Sequence, residues 1–392
     1  MKIVIDGRYM RPGQTGVGIF TENVVRELCD LGRSDEFVLI VGENPKQLIA
    51  DNLQVVRYSL LSRRFVHRVW ENTFLPIFLH RVRADIYFTP FFFLPLLTHR
   101  RFAQYSSKER NSSSRPRYVM TVHDLIPFVH PELATFRLRS RLWLFFPPSL
   151  RVADVIITDS IASKCDIARL FKFSENKIHV IALGKSKQFT LITDQALLAR
   201  IREKYRLPRS FILFVGTIEP RKNLDVLFRA YGELPTSLRD TVKLVVVGGL
   251  GWQFDRMISS LKRRGLERDV HFTGYVAEED LPALYNLATI FAYPSLYEGF
   301  GLPVLEAMAC GLPVVVSNAS SLPEVVGEAG IKFDPRNEKE LARILEALLR
   351  DEGQREQRSR ASLAQAQRFS WRTTAEQILN LFHSIYADKP VG

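Results

Sequence analysis

The chain has 392 residues, 46% hydrophobic and 24% charged, an ordinary globular mixture long enough for two cores. No stretch approaches the ~18 unbroken apolar residues of a membrane span, Asp6 comes too early for a signal peptide, and Cys29, Cys165 and Cys310 are too scattered for a disulfide frame or a zinc site, so a cytoplasmic protein is expected. Net charge is +12 and uneven: residues 1–188 carry 28 Lys and Arg against 17 Asp and Glu, and residues 189–392 carry 26 against 25, so the first half faces an anionic partner (membrane, diphosphate or nucleic acid) or is a solvated basic face.

In chain order, strand-like runs at Lys2–Asp6, Phe37–Val41, Asp85–Thr89, Tyr118–Val122, Val155–Asp159 and Ile178–Leu183 alternate with amphipathic segments at Val17–Leu31, Arg64–Val82 and Ile161–Phe171. The rhythm returns in runs at 211–216, 243–248, 270–274, 289–293, 314–317 and 331–333. Apolar on both sides and rich in Val and Ile, these runs predict parallel strands covered by helices, in two doubly wound α/β domains. The polar, serine-rich stretch 101–117 reads as a surface loop. "GKSKQFTLITDQ" breaks the pattern near 185–208, which puts one domain at 1–190 and the next at 191–370. In the tail, Ile378, Leu379, Phe382, Ile385 and Tyr386 form one helical face that must dock on something.

Three loops carry the chemistry. The first, "DGRYMRPGQTGVGIFTENV", joins strand to helix through Gly13, Gly16 and Gly18, but the spacing is not G-x-G-x-x-G, and the next strand offers only Glu43 as an acid. The second, "FVGTIEPRKNL", sets Arg221 and Lys222 beyond a strand and before a helix, either as anion ligands or as a solvated turn. The third, "YEGFGLPVLEAMACGLPVVVS", spaces Glu298 and Glu306 eight apart around Gly299, Gly301 and Pro303. With Pro303 at the first helical position, the helix N-terminus offers amides to an anion, and Glu306 could accept hydroxyls of an attached ribose. Alternatively, Glu298 is a cap and Glu306 an exposed helical residue.

Taken together, "GTIEPRKNL", the E-x7-E stretch and "GLPVVVSNASSLPEVVGEAG" resemble glycosyltransferase family 4. "RADIYFTP", "VMTVHDLIPFVHPE", "ADVIITDSIASKCDI" and "VIALG" extend the likeness along essentially the whole chain. The resemblance implies a retaining GT-B enzyme: two Rossmann-like domains facing across a cleft, with 371–392 packing back on the first. It implies Glu306 on the donor ribose and Glu298 beside the donor sugar and phosphates. The amides of Gly299, Phe300, Gly301 and Leu302 would meet sugar hydroxyls and diphosphate, as would Arg221 and Lys222 on the facing loop. Many relatives have an Arg directly after the loop glycine Gly216, but here that residue is Thr217. It further implies His123 near the reacting sugar and the Gly16–Gly18 loop near the donor phosphates.

No D-x-D follows a strand, so the expected chemistry needs no metal or other cofactor. The expected partners are a nucleotide-sugar donor, with GDP-mannose the first choice, and a lipid-linked or oligosaccharide acceptor; nucleic acid is not expected. Arg64, Phe65, Arg68, Val69 and Trp70, and Arg137, Arg139, Arg141, Trp143, Phe145 and Phe146, mix basic and aromatic residues either as at an anionic membrane surface, which would make the protein peripheral to the inner face of the membrane, or as in ordinary amphipathic helices. The rival functions are a nucleotide-sugar epimerase of the same fold, or a basic membrane- or nucleic-acid-binding protein without transferase activity.

Overall fold

The computed structural model describes residues 1–10, 16–42, 48–57, 64–96, 115–133, 135–249, 251 and 254–387, with side chains for all of these except 64–69, 138 and 254–256. Gly13, Glu43, most of the serine-rich stretch and the side chains of Arg64, Phe65, Arg68 and Val69 therefore lie outside the described part.

The strands make two parallel sheets. In the first, β1 (Lys2–Asp6), β2 (Glu36–Val41), β3 (Leu53–Arg57), β4 (Ile86–Thr89), β5 (Arg117–Val122), β6 (Val155–Thr158) and β7 (Ile178–Val180) stand in the order β3-β2-β1-β4-β5-β6-β7. In the second, β8 (Ser210–Val215), β9 (Val242–Val247), β10 (Val270–Gly274), β11 (Ile290–Tyr293), β12 (Val314–Ser317) and β13 (Ile331–Phe333) stand in the order β10-β9-β8-β11-β12-β13. In each sheet the chain winds outward from the first strand and then reverses, which is the doubly wound pattern. The central strands are apolar on both faces because helices cover both, so Val4, Leu39, Phe88, Leu213, Val246 and Ala292 are all buried. The edge strand β3, "LQVVR", is only half-buried and went unread in the sequence.

The contacts divide the chain into Met1–Gly184 with the helix from Trp371, and Lys185–Ser370. The division falls at 184 rather than 190. The terminal helix Trp371–Ala387 lies against the Gly16–Leu31 helix. It buries Ile378, Leu379, Phe382 and Ile385, and Phe382 packs edge-on against Phe88 at 5.4 Å between ring centroids. Burial of one such aromatic is worth about 1.5–3 kcal/mol, which explains why the stripe docks. Tyr386, expected within it, is exposed, at the fringe of the buried face.

Two expectations for the surface are corrected. Trp70 and Phe146 are core residues, packed with Leu75, Leu79, Tyr118 and Ile156. In the Phe136–Val152 helix, Phe136, Trp143 and Leu144 are exposed instead, beside Arg137 and Arg141. The Arg64–Arg81 and Phe136–Val152 helices each bury one side in this core, so helical period rather than residue type decides which aromatics stay outside.

Candidate active site

In the second unit, strand order reverses between β8 and β11, and the loops beyond these two strands hold the predicted residues. Gly216 directly follows β8, at φ +153°. Gly248, just past β9, has φ +147°, and a Cβ there would lie 2.0 Å from the Gly216 carbonyl oxygen; the two backbones touch only because that residue is glycine. The chain then makes a tight turn at Pro220–Lys222, and Asn223, in the left-handed region, precedes the Leu224–Gly232 helix. The Asn223 amide donates to the carbonyls of Pro294 (3.1 Å) and Pro335 (2.8 Å), and Leu296 N–H donates to the Arg221 carbonyl (2.9 Å). The bonds to Pro294 and from Leu296 staple the basic loop to the acidic one, and the bond to Pro335 ties it to the segment after β13.

Glu298 is where they meet. Its carboxylate accepts from Arg221 Nη1 (2.6 Å), Lys222 Nζ (2.7 Å) and Ser295 Oγ (2.6 Å). Lys222 also donates to the Tyr293 hydroxyl, and Arg221 pairs with Glu219 at 2.6 Å. Glu298 and Lys222 are only 7% and 6% exposed. Burial alone would raise the Glu298 carboxyl, but Lys222 and Arg221, with the Ser295 hydroxyl, override it and hold it at about 2. Burial lowers Lys222, as does Arg221 beside it, while Glu298 works to restore its charge. Glu298 is therefore neither a helix cap nor a free acid: it organises both cations.

Beyond it, Gly301 sits at φ +114° before the Leu302–Ala309 helix, and a Cβ there would meet Leu322 Cδ2 at 2.7 Å. Pro303 is the second helical residue rather than the first, where its missing N–H is still no loss. Ser321 Oγ donates to the carbonyls of Glu298 (3.0 Å) and Phe300 (2.8 Å), which fixes the turn. The helix N–H groups of the first turn have no partner within the helix and carry its positive end. One turn on, Glu306 is half-buried and accepts from the Tyr285 hydroxyl at 3.0 Å. Burial, only partly opposed by Tyr285 and reinforced by Glu278, pushes its carboxyl up to about 8.

The other expected residues take different places. Thr217 is exposed at the end of the β8 loop, Gly299 is half-buried and Phe300 is buried. Gly16 and Gly18, expected in a loop, lie in the first turn of the Gly16–Leu31 helix. Among the described residues, a Cβ on Gly16 would meet nothing within 4 Å. His123 follows β5 in the first unit, and the ring of Phe20, on the same helix as Gly16, packs edge-on to it at 4.8 Å. Sequence reasoning missed Glu219, Tyr285, Tyr293 and Ser295. Ser295 and Glu219 could have been found as polar residues at the carboxyl ends of parallel strands; Tyr285 stands on a helix, 21 residues before its partner Glu306, with no signal.

Residues 14–184 match the family described as Glycosyltransferase Family 4, and residues 199–367 match Glycosyl transferases group 1. The chain is 33% identical to O-antigen chain mannosyltransferase B of Escherichia coli, over 97% of this chain and 99% of that one. It is 34% identical to the serotype-specific mannosyltransferase WbdA of the same species, over 67% of this chain and about a third (33%) of that longer relative. Among solved structures, the sucrose-phosphate synthase of Thermosynechococcus elongatus superposes with TM-score 0.76 at 21% identity, covering 99% of this chain and 100% of that one. Anabaena HepE, in complex with UDP and glucose, gives 0.70 at 20% identity over 98% and 100%.

Proposed function

The chain belongs to glycosyltransferase family 4 and has the GT-B fold, and from that premise we propose that it transfers mannose from GDP-mannose, with retention, to a lipid-linked or oligosaccharide acceptor. It is a glycosyltransferase of polysaccharide biosynthesis, and the full-length similarity to an O-antigen chain mannosyltransferase supports mannose as the sugar. The observation that carries the reading is the joining of Arg221 and Lys222 through Glu298 at the point where the second sheet reverses. Two fixed cations beside a helix N-terminus suit a diphosphate, and each charge-assisted bond to it is worth about 1.5–3 kcal/mol.

In the reaction, the bond from the sugar's anomeric carbon to the diphosphate oxygen breaks. A bond to the acceptor oxygen forms on the same face, and the departing phosphate takes the acceptor's proton. Arg221, Lys222 and the amides of Gly299 to Leu302 stabilise the charge that develops on the leaving group. Because these groups supply that charge, turnover is expected to survive EDTA. Glu306 accepts the two ribose hydroxyls, with Tyr285 holding its second oxygen. His123 orients the transferred sugar, and in the second unit Gly216 and Thr217 line the path of the donor phosphates.

A thermal-shift panel of GDP, UDP, dTDP and ADP tests the donor. GDP is expected to raise the melting temperature of wild type and not of Glu306→Ala. Since ionised Glu306 is the better acceptor and its carboxyl titrates near 8, GDP affinity should rise between about pH 7 and 9, above the phosphate's own titration. Glu306→Gln should abolish that rise. A shift by no nucleotide sinks the reading, and a larger shift by UDP replaces the base.

Membrane association is part of the same proposal. Among the described residues no helix is long and apolar enough to cross a bilayer. Phe136 (79% exposed), Trp143 (54%) and Leu144 stand out from one helix with Arg137 and Arg141, as a surface helix on anionic lipid requires. Each cation near such a surface adds about 1 kcal/mol. The protein should float with phosphatidylglycerol vesicles and not with phosphatidylcholine ones, and lose this in high salt or as Trp143→Ser/Leu144→Ser. Equal flotation with both lipids overturns the charge argument.

A further inference from the structure

β5 and β6 are parallel neighbours with Val122 opposite Thr158, and the Thr158 hydroxyl donates to the Val122 carbonyl at 2.8 Å. The next residues, His123 and Asp159, therefore leave the sheet side by side at its carboxyl edge. Asp159 has little freedom there: it is 3% exposed, and Ser160 directly after it caps the Ile161–Phe171 helix by accepting from Ser163 N–H at 3.1 Å. Its Oδ2 lies 2.7 Å from His123 Nδ1. The Phe20 ring closes one side of the imidazole. Two polar atoms are left over: Asp159 Oδ1 and His123 Nε2 are buried and have no partner within hydrogen-bond distance, although the Pro90 carbonyl lies near enough to the ring to favour its protonated form.

Buried polar atoms of a purely structural pair are normally satisfied. Here the inner bond is short and the outer nitrogen is orphaned, as expected of a ring that is oriented from behind and used in front. We propose that Asp159 is a positioning residue of the transfer reaction: it holds the His123 ring by Nδ1 so that Nε2–H donates to a hydroxyl of the transferred sugar. This rests on the reading that the chain is a hexosyltransferase with His123 at the sugar. The charged groups that face the ring agree with a donor. Burial lowers His123, but Asp159, then Asp124 and the Pro90 carbonyl, outweigh it and leave its pKa raised above 6.5. Asp159 is itself raised by burial, against the pull of His123. In its protonated form the ring can donate from both nitrogens.

The test is a double-mutant cycle with pH profiles of kcat/KM. His123→Gln and Asp159→Asn should each lower kcat/KM at pH 7.5, and the double variant should be no worse than His123→Gln alone. Asp159→Asn should also move the alkaline limb assigned to His123 to lower pH by a unit or more, which costs about tenfold in protonated fraction above both midpoints. Losses that multiply, or a limb that stays in place, overturn the proposal and leave Asp159 a structural acid. Should Asp159→Asn fail to fold, ¹⁵N spectra of wild-type histidines, with His123 assigned by its absence in His123→Gln, decide instead. Nδ1 is expected to stay protonated across the titration, with a midpoint above 6.5; loss of the Nδ1 proton first overturns the idea. Full turnover in His123→Gln overturns both the dyad and the role of His123. Absence of turnover with any nucleotide sugar removes the functional reading, while the spectra still decide the dyad.

Discussion

Lys222→Met should lower kcat by about 10²–10³ while leaving a folded protein, because removal of one preorganised donor from a site of developing charge typically costs that factor. The substitution keeps the buried stem and deletes only the ammonium. Glu298 is not stranded, since Arg221 Nη1 and Ser295 Oγ still bond it at 2.6 Å each. Stability should therefore fall less than activity. Arg221→Met should cost less, because Arg221 is only half-buried and shares its guanidinium with Glu219. Turnover with saturating donor, alongside a melting curve, separates the two effects. A kcat within threefold of wild type would remove Lys222 from the reaction.

Glu298→Gln should have the reverse profile, with stability lost first. Without the carboxylate, Lys222 is buried with its charge uncompensated beside Arg221. Breaking a buried pair in this way costs about 3–5 kcal/mol, or about 10 °C in the melting temperature of a unit this size. The pH dependence gives the sign. The carboxyl sits at about 2 in the folded chain against an ordinary 4.5. Its contribution is therefore complete above 4.5 and lost as pH falls towards 2, so the gap between wild type and variant should narrow on acidification. A nucleoside diphosphate should also stabilise Glu298→Gln more than wild type, because the anion replaces the missing partner of both cations. An unchanged melting temperature would mean that Glu298 only shapes the turn.

Much of this site was legible in the sequence, and the part that was not has a physical cause. Arg221, Lys222 and Glu298 stand out because each lies beyond a strand, where a short polar stretch between apolar runs must be a loop at a sheet edge; Glu306 stands out by its spacing from Glu298, one turn into the helix that follows. What joins them was not legible: Glu298 lies 76 residues beyond Lys222, and no period or spacing encodes a contact across neighbouring strands. Tyr285 behind Glu306 and Asp159 behind His123 were missed for the same reason. Gly16 and Gly18 were read as a Gly-rich loop between strand and helix, although the amphipathic pattern already began at Val17; the packing of Phe20, Val24, Val25 and Leu28 on one face carries the helix back to Gly16.

The sequence by itself determined the class, two doubly wound α/β units, because burial on both faces of a parallel sheet leaves unbroken Val and Ile runs that local pattern reveals. It also determined the candidate ligands, since function at such sheets is confined to the loops at one edge. Only the tertiary structure decided the charge states. Whether an acid is held at about 2, like Glu298, or pushed to about 8, like Glu306, depends on how deeply it is buried and which cations the fold brings to it. The same structure decided that Trp70 and Phe146 are core while Phe136 and Trp143 face outward. Burial and electrostatics are properties of neighbours in space, and the chain chooses those neighbours only by folding.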